Sequence, residues 1–175
     1  MAYLNPGAGL AREGRSSAGA PAAGTDEVQT LTIGGTPTGG TFRLAFRADT
    51  TAPISWSSTN NTLRDNVDAA LEALGSVGTG AVTTAVGTMT AGVGTLTITF
   101  AGRLGKLAVP LVTVPVNSLT GTAPTVAVAE TTPGVTATER GAPTGAQLMD
   151  LTNGVLYANT GTATAPTWTK IGTQT

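Results

Sequence analysis

Threonine is the residue that most constrains the fold of this chain, because it occupies 35 of the 175 positions. A β-branched side chain restricts rotation about its first bond, which disfavours helices slightly and suits the exposed face of a strand. Hydroxyl groups at such positions keep strands soluble without charge. The sequence therefore predicts a mainly β protein that is built to hold a shape.

Reactive side chains are scarce: the sequence contains neither histidine nor cysteine. These two residues supply most nucleophilic, acid–base and zinc chemistry in proteins. We therefore expect no enzymatic activity, no cofactor and no metal site. A structural protein that binds through its surfaces is the better interpretation.

Charge and hydropathy argue against nucleic-acid binding, membrane insertion and export. Charged residues make up 11% of the chain and the formal net charge is −1, so no basic footprint supports nucleic-acid binding. No apolar run approaches the roughly 20 residues that span a bilayer, so we expect no membrane partner. The N-terminus lacks the apolar centre of a secretory signal, which predicts synthesis and use without export.

Residues 1–24 are rich in glycine, alanine and proline and show no helical or strand periodicity. Two interpretations are open: a disordered tail, or a flexible arm that becomes ordered along a partner. In the second, the large apolar and cationic side chains anchor the arm to that partner. These are Tyr3, Leu4, Leu10, Arg12 and Arg15.

Residues 25–130 are predicted to form the main domain. Two strands, Val28–Ile33 and Thr41–Ala48, are joined by the glycine-rich run Gly34–Gly40, which favours a hairpin connection. Shorter strands are predicted at Ala52–Trp56 and Ala81–Val86. The later strands are Thr95–Phe100, an edge strand or extended connector at Val109–Val116, and Thr125–Glu130.

A single helix is predicted near residues 62–74. Leu63, Val67, Leu71 and Leu74 follow one another at spacings that place them on one helical face. Asn61 or Thr62 is the expected N-terminal cap. The fold class is thus α+β: an antiparallel sheet or sandwich with one packed amphipathic helix.

Several segments carry a resemblance to a known family. The runs TDEVQTLTIGGTPTGGTFRLAF, TTAPISW, VDAALEALGSVGTGAVT, LTITFAGRLGKLAVPLVTV and APTVAVAETTPG follow in this order between Thr25 and Gly134. Together they resemble a module of tailed-phage virion proteins that recurs in phages infecting actinobacteria. The resemblance implies a component of the virion.

Residues 131–143 are a linker by composition, and residues 144–175 form a small separate unit. Asn153-Gly154 predicts a hairpin between Gln147–Leu151 and Val155–Asn159, with a third strand at Trp168–Ile171. The run DLTNGVLYANTGT is similar to the endings of phage head-fibre, decoration and tail-fibre proteins. Such tips are generally trimeric, which implies that Leu156, Tyr157, Trp168 and Ile171 pack at a trimer interface.

Candidate chemical sites are weak. Asp65, Asp68 and Glu72 are best interpreted as solvated charges on the exposed helix face, and Asp49 lacks the neighbouring carboxylates of a calcium loop. Asp26 and Glu27 with Lys106 or Lys170 are the candidates for an autocatalytic isopeptide bond. Trp56 and Trp168 are the candidates for stacking on a sugar.

Three functions remain open. The first is a capsid decoration or head-fibre protein on the capsid exterior, made in the host cytoplasm, which binds the assembled major capsid protein and itself as a homotrimer. The second is a minor tail or tail-fibre protein. The third is a virion module that binds host surface glycans. We favour the first, because the chain has one module and one tip.

Overall fold

The structure is a computed structural model that describes residues 15–17, 21–138 and 141–173. The described chain is 51% strand and 11% helix. It divides into two compact units. The central unit is Thr25–Val135, and the C-terminal unit comprises the described residues of Met1–Gly24 and Thr136–Thr175.

The strands and the helix are numbered in chain order. They are β1 (Arg15–Ser17), β2 (Val28–Phe46), β3 (Asp49–Thr50), β4 (Ile54–Ser55), α1 (Asn60–Glu72), β5 (Val82–Thr90), β6 (Val93–Phe100), β7 (Thr113–Thr132), β8 (Gln147–Asp150), β9 (Val155–Asn159) and β10 (Trp168–Thr173). A 3-10 turn spans Gly102–Leu104. The predicted fold class, mainly β with one helix and a small C-terminal sheet, is confirmed.

The sheet of the central unit is organised around β2. One edge of β2 pairs with β6, β4 and β3 in turn, and β5 extends the sheet beyond β6. The other edge of β2 pairs with β7 along nearly its whole length, from Val28↔Thr132 to Ala45↔Thr113. All of these pairings are antiparallel.

The hairpin predicted at Gly34–Gly40 is wrong, because this run lies inside the continuous strand β2. Gly35 and Gly40 have positive φ angles; Gly35 lies in the register shift between Gly34 and Thr36, and Gly40 follows the shift between Pro37 and Gly39. Asn117 Nδ2 donates to the carbonyl oxygen of Pro124 at 3.0 Å, although seven residues separate them in β7. An extended strand would place these residues more than about 20 Å apart. The ribbon of β2 and β7 is thus sharply bent at this run, and β2 continues through it as one strand.

Gly40→Ala is expected to destabilise the central unit, whereas the adjacent Gly39→Ala is not. A Cβ atom on Gly40 would lie 2.3 Å from the carbonyl oxygen of Ser118, and the residue has a φ of 91°. At Gly39 the nearest atom would be the Thr120 hydroxyl at 3.4 Å, with no positive φ. We expect a loss of more than about 1–2 kcal/mol for Gly40→Ala and a change within about 1 kcal/mol for Gly39→Ala. Urea unfolding of both variants measures this, and equal midpoints would contradict the bent ribbon.

The predicted apolar face of the helix is confirmed: Leu63, Val67 and Leu71 are fully buried and Leu74 is 7% exposed. They join the core formed by the inward-facing side chains of the sheet, in which the rings of Phe46 and Phe100 stack with centroids 5.3 Å apart. The helix lies against β4 and β5.

The predicted helix start at Asn61 or Thr62 is wrong, because α1 begins at Asn60 with Thr59 as its N-terminal cap. The Asn60 side chain donates to the carbonyl oxygen of Met89 at 2.9 Å and accepts from the Gly92 N–H at 2.8 Å. The turn between β5 and β6 therefore fixes the first residue of the helix. No local cap does so, since Thr59 makes no side-chain capping bond.

The linker predicted at residues 131–143 is not a separate element. Thr132 ends β7, and Val135 forms a two-residue bridge with Thr25 inside the central unit. Further along, Ala137 and Ala142 are buried in the C-terminal unit. The small side chains that give this segment a linker-like composition are those that let it pack closely.

Candidate binding surfaces

The predicted N-terminal anchors fall mainly outside the described residues, because Tyr3, Leu4, Leu10 and Arg12 lie in residues 1–14. Arg15 belongs to β1, whose backbone pairs in parallel with β8 at Arg15↔Leu148. Residues 15–17 thus extend the C-terminal sheet to the order β1-β8-β9-β10. The predicted arm contains no strand at these three residues, because the sequence RSS gives no periodic signal for one.

The three predicted strands of the C-terminal unit are confirmed as β8, β9 and β10. Their pairings place Leu148 opposite Tyr157, and Asn159 opposite Trp168. Paired residues share a face of the sheet. Leu148, Asn159, Tyr157 and Trp168 therefore lie together on an inner face, where the first two are at most 1% exposed and the two rings are half-buried.

On the opposite face of this sheet, the outer face, the paired side chains of β8, β9 and β10 that the structure describes are uncharged. Its pairs are Gln147↔Ala158, Met149↔Leu156 and Ala158↔Thr169. Ile171 is the residue inserted at the bulge beside Leu156 and is 52% exposed. The pairings thus place Leu156 on the outer face and both rings on the inner face, whereas Ile171 has no paired residue and is exposed beside Leu156.

Both tryptophans are engaged within their own units. Trp168 Nε1 donates to the carbonyl oxygen of Thr138 at 2.9 Å. Trp56 Nε1 donates to that of Gly92 at 3.0 Å, and a Cβ atom on Gly92 would lie 2.9 Å from the Trp56 ring. Both tryptophans are half-buried.

Asn159 organises the C-terminal unit, a role that the sequence analysis missed. Its side-chain nitrogen donates to the carbonyl oxygen of Ala142 at 2.8 Å, and its oxygen accepts from the N–H groups of Gly161 and Thr167, both at 2.9 Å. A single buried amide therefore fixes the segment before β8 and the loop between β9 and β10. The sequence signal is weak, because an asparagine before Thr-Gly indicates only a turn.

Asp150 closes the β8–β9 hairpin. The carboxylate accepts from the N–H groups of Thr152 and Asn153 at 2.9 and 3.2 Å, and from Asn153 Nδ2 at 2.7 Å. These bonds, first the one from the Asn153 side chain, lower the pKa of Asp150 from its ordinary value of 3.8, against an opposing effect of burial. The hairpin predicted from Asn153-Gly154 is confirmed, with a four-residue loop.

The C-terminal unit is expected to lose stability in acid through Asp150. Because its pKa is lower in the folded than in the unfolded chain, the stabilisation is complete above the ordinary value of 3.8. It disappears as the pH falls through the folded value. Thermal unfolding can be followed by Trp168 fluorescence in a Trp56→Phe background. The unfolding midpoint of the C-terminal unit should fall as the pH is lowered below 3.8. In Asp150→Asn this decrease of the midpoint with falling pH should be smaller. If the midpoint of that variant falls in acid as much as that of the wild type, the role of Asp150 is contradicted.

The acidic residues at the start of β2 hold a distant backbone segment. Asp26 accepts from the Lys106 N–H at 2.7 Å, and Glu27 accepts from the Val109 N–H at 2.7 Å. Gln29 accepts from the Val112 N–H at 2.8 Å and donates to Glu27 at 2.5 Å. We call Asp26, Glu27 and Gln29 the clasp. Its carboxylates bind backbone amides, which accounts for them without an isopeptide bond.

Two of the three helix carboxylates are not simply solvated. Asp68 accepts from both the N–H and the hydroxyl of Thr84 at 2.9 Å, and Glu72 accepts from the Gly80 N–H at 2.6 Å. Asp65 is exposed and pairs with its neighbour Arg64. The helix is thereby tied to the start of β5, a role that the periodicity of the helix cannot reveal.

Asp49 likewise holds backbone. It accepts from the Ser76 N–H at 2.7 Å. The Ser76 hydroxyl and then its N–H lower the pKa of Asp49. Among residues 15–17, 21–138 and 141–173, no group of three acidic side chains is arranged to hold a metal ion.

β7 presents the longest free edge of the central unit. Within the described part of the chain, no strand pairs with its outer side. Between Asn117 and Pro124 this edge is partly closed, because the Asn117 side chain binds the Leu119 N–H and the Pro124 carbonyl oxygen. The run Thr125–Glu130 lacks proline and glycine and carries one charge. It is an open, nearly uncharged edge of the kind that accepts a further strand.

Comparison with protein-family models and with curated proteins gives no match. In the part of the chain that the structure describes, no helix has the length and apolar character required to cross a membrane.

Proposed function

We propose that the chain is a non-catalytic phage capsid decoration protein that binds the assembled major capsid protein on the capsid exterior. Two resemblances support this assignment. The sequence runs between Thr25 and Gly134 resemble a tailed-phage virion module, and the C-terminal run is similar to the endings of phage head-fibre, decoration and tail-fibre proteins. One structural observation supports a binding role. Each buried polar side chain of the described residues is bonded to backbone or to another structural side chain, which leaves the uncharged surfaces for association.

The buried polar set illustrates this. Glu27 and Gln29 form part of the clasp, Thr51 accepts from the Leu44 N–H at 3.1 Å, and Thr84 is bound to Asp68. Asp150 and Asn159 hold the C-terminal unit. Each of these six buried polar side chains is therefore used within the fold. The outer face and the Thr125–Glu130 edge carry no charge pattern that would repel a protein partner.

Co-sedimentation with assembled capsids that lack the protein tests the proposal. The full chain should bind capsids, and bind neither free capsid subunits nor isolated tails. Removal of residues 1–14, which leaves β1 in place, should weaken binding if Tyr3, Leu4, Leu10 and Arg12 anchor the chain. Undiminished binding of the truncated chain would remove the arm from the proposal. Binding to tails alone would favour the tail-fibre function, and binding to host cells alone would favour the glycan-binding module.

We further propose that the protein is a homotrimer that associates through the outer face. The C-terminal unit has a small core of its own, in which Leu148 and Val155 are the large buried apolar side chains among its described residues. A trimer on a capsid engages several neighbouring subunits at once and gains avidity over one weak contact.

Mass photometry of the purified chain measures the oligomeric state. We expect a trimer that Ile171→Asp dissociates, because this substitution places a charge on an exposed side chain beside Leu156. Thr164→Asp, in the exposed loop between β9 and β10, is the matched control and should leave the trimer intact. A monomeric wild-type chain that remains monomeric on capsids would exclude the trimer.

A further inference from the structure

The loop of the β8–β9 hairpin contains a reactive pair of residues. Asn153 is the only asparagine of the sequence that is followed by glycine. Its side chain is exposed, and Gly154 has a φ of 62°. A glycine has no side chain to shield its backbone nitrogen and moves readily between conformations. The Gly154 nitrogen can therefore approach the side-chain carbonyl carbon of Asn153.

The reaction of such a pair is deamidation. The Gly154 nitrogen forms a bond to Cγ of Asn153, the bond from Cγ to Nδ2 breaks, and the side-chain nitrogen leaves as ammonia. The resulting five-membered imide is then opened by one water molecule, which yields aspartate or isoaspartate. The net change is asparagine plus water to an acid plus ammonia, and no oxidant or reductant is required.

We propose that Asn153-Gly154 is a deamidation site whose rate is set by Asp150. The carboxylate holds Asn153 by two bonds, from Nδ2 at 2.7 Å and from its N–H at 3.2 Å, so the side chain is fixed toward β8. Its negative charge also disfavours loss of the proton from the Gly154 nitrogen, which must precede attack. Asp150 thus slows a reaction for which the loop is otherwise suited.

The product of this reaction weakens the hairpin that contains it. A carboxylate at position 153 would bring its oxygen to the place of Nδ2, which lies 2.7 Å from Asp150 Oδ2. Two like charges at that distance repel each other, and the donor that held the loop is gone. Deamidation at this site therefore weakens the β8–β9 hairpin slowly and irreversibly.

Two of the other asparagines among the described residues offer internal controls. Asn117 is followed by serine and holds β7 through its side chain, and Asn159 is buried and followed by threonine. A side chain on the following residue hinders the attack. Asn153 should therefore be modified first.

Peptide mapping by mass spectrometry of the full-length chain, aged in warm neutral buffer, measures the reaction at each asparagine. We expect product at Asn153 before any other site, and about tenfold faster formation in Asp150→Asn, which corresponds to a barrier lowered by about 1.4 kcal/mol. Asp49→Asn removes the same charge in the central unit and should leave the rate at Asn153 unchanged. The Asn153→Asp variant should lower the unfolding midpoint of the C-terminal unit alone.

A second comparison needs no substitution. In urea the Asp150 carboxylate no longer holds the amide, so the wild-type rate at Asn153 should rise by a similar factor although its sequence neighbours are the same. Equal rates in the folded and unfolded chain would overturn the proposal, as would earlier product at another asparagine. An Asp150→Asn rate equal to the wild-type rate would overturn the role of Asp150.

Discussion

Glu27→Ala is expected to destabilise the central unit by about 2–6 kcal/mol, because two buried donors lose their acceptor at about 1–3 kcal/mol each. Glu27 is 1% exposed, and its two oxygens accept from the Val109 N–H and the Gln29 side chain. Without them, the segment before β7 keeps the hydrogen bonds that it forms with Asp26 and Gln29 and loses the one to Glu27. The effect is large because these donors lie where water does not reach them.

Glu27→Gln separates the hydrogen bonds from the loss of volume. The amide keeps one acceptor and places an NH2 group against a donor, so we expect a loss of about 1–3 kcal/mol. Asp26→Asn is the matched control. One oxygen suffices there to accept from the Lys106 N–H, so the change should stay within about 0.5 kcal/mol.

Trp56 reports on the central unit and Trp168 on the C-terminal unit, and the chain has no other tryptophan. Urea unfolding in a Trp168→Phe background therefore measures these variants without interference. If Glu27→Gln and Asp26→Asn unfold at the same urea concentration, the clasp does not stabilise the fold in the way described.

Leu71→Ala is expected to cost about 2–5 kcal/mol, the range for removal of a buried leucine side chain. Leu71 is fully buried in the face of α1 that joins the core. The helix is held to β5 by Asp68 and to the β5–β6 turn by Asn60, so it cannot shift to fill the cavity. Leu111→Ala, at a residue that is 43% exposed in the same unit, is the matched control and should change stability by less than about 1 kcal/mol.

The same Trp56 signal measures this pair of variants. A Leu71→Ala midpoint equal to that of Leu111→Ala would mean that the apolar face of the helix does not support the core. A large effect that also appears in the C-terminal unit, followed by Trp168, would contradict the division of the chain into two units.

The elements that local sequence patterns define were predictable. The face of α1 follows from the spacing of Leu63, Val67 and Leu71, and the β8–β9 hairpin follows from Asn153-Gly154 between two short strands. In both cases the signal lies within a few residues of the element that it specifies. Both predictions are confirmed.

The errors arise where a distant segment decides between local alternatives. The glycines of Gly34–Gly40 permit either a hairpin or a bulged strand, and pairing with Leu119–Thr125 selects the strand. The helix starts at Asn60 because the β5–β6 turn holds its side chain.

For the candidate surfaces, the sequence identified apolar residues but not their faces. Leu156, Tyr157, Trp168 and Ile171 are grouped in the sequence analysis because the resemblance implies a trimeric tip. The register of β9 and β10 assigns the two rings to the inner face and Leu156 to the outer face, and it leaves Ile171 unpaired and exposed at the bulge. The structural roles of Glu27 and Asn159 were not predicted, because their partners lie far away in sequence or belong to irregular loops.

A cryo-electron microscopy reconstruction of the intact virion tests the central claim most directly. The account predicts density for this chain on the outer surface of the capsid, in groups of three, with the C-terminal sheets meeting through Leu156 and Ile171. Density confined to the tail, or single copies on the capsid whose outer faces are open to solvent, would contradict it.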